Sequence, residues 1–140
     1  KVQALGSNDA GVSFLVHYGG KTIFHAGDLN DWSWYVRKGE MHDEAYRRRM
    51  REEFRKELEP LLGVHMDAAF VVMDMRLEER YKNGIDYFLH TMDADAVFPM
   101  HLWGRYDLIP QYKKKLILAG EPELAKKVMD IREENQIFEL

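Results

Sequence analysis

Three apolar runs, "TIF" at 22–24, "AAFVVM" at 68–73 and "AVFPM" at 96–100, are too short for helices and are separated by stretches with helical spacing. Strand, helix, strand, helix, strand in that order implies a layered α/β arrangement, in which ligands gather beyond the carboxyl ends of strands. Each run stops at a residue of metal-binding or acid–base type: Asp28 after "TIFHAG", Asp74 after "AAFVVM", His101 after "AVFPM". The coincidence of the three says more than any one of them.

Upstream of the first run, "GVSFLVHYGGKTIFHAG" places Val12, Phe14, Val16 and Tyr18 on one face and breaks at Gly19-Gly20. Paired glycines accept the positive φ of a two-residue turn, so the stretch predicts a β-hairpin. Between the runs, Tyr46, Met50, Phe54, Leu58 and Leu61 recur at helical intervals, which predicts a long amphipathic helix from Asp43, its N-cap, to Leu62. A second stripe, Leu77, Tyr81, Ile85, Phe88, Leu89 and Met92, predicts a helix over 76–92, weakened at Asn83-Gly84. Two more helices are expected over 106–117 and 121–135, and "QIFEL" as a last edge strand.

The chain of 140 residues carries a net charge of -4, with 46% hydrophobic and 31% charged residues, and reads as one domain over 1–140. That charge offers no field for nucleic acid, and no apolar run reaches membrane-spanning length. There are no cysteines, so any metal must be held by His, Asp or Glu; their absence is compatible with the expected cytoplasmic location. A first residue of lysine, just before a strand, suggests a fragment.

Taken singly, the candidates have plainer readings. An aspartate after a glycine at a strand end is first of all a turn or cap residue, Asp74 would cap the helix starting near Leu77, and a lone histidine such as His101 is more often bonded to backbone than a ligand. His25 points, by alternation, into a packed face. His17, His42, His65 and His90 show no metal spacing, and the row Arg47, Arg51, Arg55 is interleaved with glutamates. Trp32, Trp34, Tyr35, Trp103 and Tyr106 would wall a pocket beside the strand ends.

"GVSFLVHYGGKTIFHAGDLNDW" resembles the hairpin and following loop of the metallo-β-lactamase superfamily, in which an I-x-H-A-G-D strand delivers the aspartate bridging two metal ions. "AVFPMHLWG" is similar to the later strand that delivers the last histidine ligand. The resemblance implies half of an αβ/βα sandwich, a mixed sheet covered by helices, and covers only the carboxyl-terminal half of the family's fold. It makes Asp28 the catalytic, bridging carboxylate, His101 a ligand of the second metal, and Trp32, Trp34 and Trp103 the mouth for a small-molecule substrate; Asp74, at the end of its own strand, is kept beside them as a residue behind the ligands or a substitute ligand. Two zinc ions are implied, with iron or manganese as alternatives. The family's His-x-His-x-Asp-His signature occurs nowhere in this chain. Ser7-Asn8-Asp9 stands where a further histidine would fall, so that ligand is either absent or replaced by Asp9 or Asn8. With two ligands in sight, little or no metal is expected on the chain alone.

Two functions follow. One is a metal-dependent hydrolase, inactive without its amino-terminal half. The alternative is a non-catalytic α/β binding or assembly module that has lost the metal centre. A chain supplying one sheet of a sandwich should expose apolar surface, so the expected partner is its own amino-terminal half or a second copy in a homodimer.

Overall fold

In a computed structural model, which describes residues 1–34 and 44–140, the chain is an α/β protein built on one five-stranded mixed sheet in the order β1-β2-β3-β4-β5. Strands β1 (Val2–Leu5), β2 (Ser13–Tyr18) and β3 (Lys21–His25) pair antiparallel, then β4 (His65–Val72) and β5 (Asp93–Met100) add in parallel. The hairpin turns where expected: Tyr18 pairs with Lys21, and Gly19 and Gly20 take φ of 56° and 77°. Because β5 is an edge, Pro99 sits in a strand without removing a needed ladder donor.

Helix α1 (Glu44–Leu58) buries Phe54 and Leu58 and ends in a 3-10 turn at Glu59–Leu61. The expected cap Asp43, with Tyr35 and His42, lies outside the described residues. The helix expected over 76–92 is split. A 3-10 segment, Met75–Arg80, starts on the Asp74 side chain and is broken by Glu78 at φ 54°; α2 begins only at Asn83 and runs to Thr91. Asn83-Gly84 thus starts a helix instead of weakening one, and Gly84 is required because a Cβ there would collide with the buried Asn30 side chain. Helix α3 (Leu108–Leu118) holds, but α4 is only Pro122–Lys127. The chain leaves α4 at Val128 to bridge Val97, and Met129 donates to the Val97 carbonyl. Residues 136–140 form no strand; Phe138 packs edge-on to Phe98 at 5.0 Å.

One sheet face, carrying Leu15, Phe24, Ala69 and Val97, packs on all four helices. Phe24 and Phe88 stack at 5.8 Å at its centre, and truncating Phe88 to alanine would cost about 3–5 kcal/mol. The opposite face carries Ile23, Ala68, Phe70, Ala96 and Phe98, and the segment from Met129 to Phe138 covers its β4–β5 side. Over the hairpin it is open: Val12, Phe14 and Tyr18 are exposed. The apolar alternation of β2 therefore marks the uncovered face, and Ser13 and Leu15 point to the buried side. Among the described residues, no helix is long and apolar enough to cross a membrane.

Candidate functional site

Parallel pairing of β3, β4 and β5 brings three strand exits side by side. Backbone hydrogen bonds continue past the strands, from Ala26 to the Phe70 carbonyl and from Met73 to the Met100 carbonyl, both 2.9 Å, so the three exits are fixed relative to one another. Gly27 turns the chain out of β3 at φ 59°, and a Cβ there would lie 2.7 Å from the Val12 carbonyl oxygen. Its N–H donates to His25 Nδ1. His25 is therefore not on a packed face, as alternation suggested, but exposed on the outer one, against Phe70 at 5.6 Å.

Asp28 and His101 meet: Oδ1 and Nε2 are 3.2 Å apart. Asp74 lies behind them, fully buried, with Oδ2 3.5 Å from His101 Nδ1. That Nδ1 is buried and makes no hydrogen bond. His101 adopts φ 60° and Trp103 φ 52°, two left-handed non-glycine residues two positions apart, and such strain gathers where a side chain must be aimed.

Asp74 is saturated from the other side. Arg76 donates through its backbone N–H, Nε and Nη2, the last at 2.6 Å, and Trp103 Nε1 donates at 3.3 Å. Burial opposes ionisation of Asp74, but the Arg76 and Trp103 hydrogen bonds outweigh it and hold the carboxyl below the usual carboxylate range. The Arg76 guanidinium lies 4.9 Å from the Trp103 ring and 5.8 Å from the Trp34 ring, and Asp28 and Asp9 also favour its charge.

The aromatic residues divide. Trp103 is exposed, while Trp32 is buried, donates from Nε1 to the Asp28 carbonyl at 2.8 Å and packs beside His101 and Trp34. Trp32 supports the Asp28 loop more than it lines a mouth. Next to it a cavity of about 330 Å³ is bounded by Asn8, Asp9, Trp32, Trp34, Tyr46, Met50 and Arg76. Asn8 spends its amide on Asn30 and on the Met50 carbonyl, so it holds the loop and is not free to ligate.

Two zinc ligands at about 2.1 Å from one ion in tetrahedral array stand roughly 3.4 Å apart. The Asp28–His101 spacing fits such a pair, and the unbonded Nδ1 beside Asp74 fits a histidine whose far nitrogen awaits an orienting carboxylate. Among the described residues neither Asp9 nor any other His or acid joins this pair as a third ligand. The one group of three that does converge among the described residues is elsewhere: His65, Asp67 and Asp95, at the opposite end of the parallel strands, bring ligand atoms within 4.8 Å of one another. Sequence spacing hid it because His65 and Asp67 lie on β4 but Asp95 on β5, and only register joins the two strands.

Comparison with protein-family models, with characterised proteins and with solved structures finds no match to this chain.

Proposed function

We propose that the chain carries the Asp28–His101 side of a metal-dependent hydrolase centre of the metallo-β-lactamase type. The observation supporting this reading is the 3.2 Å approach of an aspartate and a histidine from separate strand exits, on a backbone strained at the histidine. A divalent ion bound there would supply a water of lowered pKa and polarise the scissile group. Asp28 would hold the ion and orient that water, His101 would ligate through Nε2, and Asp74 would accept from Nδ1 and fix the ring. Trp34 and Trp103 would shape the approach of a small substrate. The remaining ligands would come from an amino-terminal half or another chain, which would also cover the open sheet face around Phe14.

Metal titration of the 140-residue chain tests this. Weak binding of Mn²⁺ or Zn²⁺ is expected, reduced about tenfold or more by either Asp28→Ala or His101→Ala. Binding that survives both substitutions, or is lost in His65→Ala instead, would sink the assignment. A second reading, an α/β binding or assembly module without metal, draws on one observation: the two-ligand pair has no third partner among the described residues. Complete absence of metal binding, with stable association through the Phe14 face in light scattering, would favour it.

A further inference from the structure

Arg76 stands inside the acidic centre and has no role in the chemistry proposed above. Its Nε and Nη2 grip Asp74, it is within electrostatic reach of Asp28 and Asp9, and it is held between two indole rings. The positive charge therefore sits one carboxylate oxygen away from the His101 ring: Asp74 Oδ2 is 2.6 Å from Arg76 Nη2 and 3.5 Å from His101 Nδ1.

We propose that Arg76 is a built-in counter-ion of this centre, so that a divalent cation between Asp28 and His101 and the Arg76–Asp74 pair oppose one another. The inference rests on the metal reading above and concerns only this chain's residues. Two physical couplings carry it. A guanidinium this close, in a partly desolvated site, repels a second cation. In addition, a histidine that ligates through Nε2 donates from Nδ1, and the carboxylate beside that nitrogen is the one Arg76 holds. Drawing Asp74 Oδ2 toward His101 loosens its bond to Nη2. Linkage makes the effect reciprocal: whatever frees Arg76 strengthens cation binding, and a bound cation frees Arg76. Half of the Arg76 side chain is exposed, so its guanidinium can turn to solvent without unpacking the core.

Mn²⁺ titration followed by calorimetry decides the matter. Arg76→Gln is expected to bind about tenfold tighter or more than the wild-type chain, while Arg76→Lys, which keeps the charge, stays within about threefold of it. Added guanidinium, far below denaturing concentration, should weaken binding in Arg76→Gln, and sodium at equal ionic strength should not. Equal or weaker binding in Arg76→Gln overturns the counter-ion role while leaving the metal reading intact. No Mn²⁺ binding by any of the three proteins removes both. If Arg76→Gln does not fold, the wild-type chain still answers: diamagnetic Zn²⁺ should shift the Arg76 Nε–H resonance away from its carboxylate-bonded position, and an unmoved resonance at saturation overturns the proposal.

Discussion

The two ends of the parallel strands β4 and β5 hold nearly the same chemical inventory. At the carboxyl ends are His101, Asp28 and Asp74 with Arg76; at the amino ends are His65, Asp67, Asp93 and Asp95 with Lys21. Their settings differ. His65 hydrogen-bonds Asp93 through Nδ1 at 3.0 Å and lies 3.3 Å from Asp95 through Nε2, and its partners are more than half exposed. His101 has an unbonded buried nitrogen, a strained backbone and a fully buried carboxylate behind it. A cluster of the right residue types is thus a poor guide by itself. Polar atoms held in place without being satisfied distinguish the candidate site from a solvated acidic edge.

The comparison can be broken by substitution at each end. Asp74→Ala leaves Arg76 and Trp103 without their shared acceptor, and should cost about 3 kcal/mol, near the low end for a buried pair because Arg76 is half exposed. Asp95→Ala should leave the urea midpoint unchanged, since exposed ion pairs contribute little. If the two variants unfold alike, the ends do not differ in the way described.

Glycines sharpen it further. Gly27 and Gly63 both have positive φ, 59° and 74°, but a Cβ meets the Val12 carbonyl at the first and nothing within 4 Å at the second. Gly63→Ala should cost about 1 kcal/mol from backbone conformation alone, and Gly27→Ala about 2 kcal/mol or more. Thermal unfolding of the pair measures the difference. Equal losses would mean that the Asp28 loop yields and is not rigidly placed.

The smallest effect expected is in the pH dependence, with opposite signs at the two ends. The Asp93 hydrogen bond holds His65 above its ordinary value of 6.5 against the opposing effect of burial. Its contribution is complete below 6.5 and is lost as pH rises through the higher folded value. Asp74 is held below 3.8, so its contribution is present above that value and lost as pH falls through the lower folded one. Denaturation across the pH range should show His65→Gln flattening only the alkaline limb and Asp74→Asn only the acid limb. A variant that altered the wrong limb would contradict these assignments.

Much of this was legible in the sequence where a local rule governs. Gly19-Gly20 fixed the hairpin, and short apolar runs ending in Asp28, Asp74 and His101 located the strand exits that parallel pairing brings together. What stayed hidden depended on tertiary partners. The periodicity of 76–92 is genuinely helical, yet Asp74 captures the Arg76 N–H and side chain and Glu78 breaks the run, so Arg76 points back into the site. The Asp-x-Arg spacing at a strand exit was the available signal. Helical spacing after Pro122 lost in the same way to the bridge between Val128 and Val97.

The order of pairing along the sheet also bears on how the protein folds. The hairpin closes across two residues, whereas β3 meets β4 only after some forty residues and β5 follows another crossover. Closing such loops costs chain entropy before any contact repays it, so parallel pairing belongs late in folding. Asp28, Asp74 and His101 lie on three different exits and come together only when both crossovers have closed. Substitutions at the site should therefore speed unfolding and leave the folding rate almost untouched, while changes at Gly19 or Gly20 should slow folding itself. The candidate centre is then a late product of folding, and its kinetic persistence depends on how firmly the β3–β4 and β4–β5 ladders stay shut.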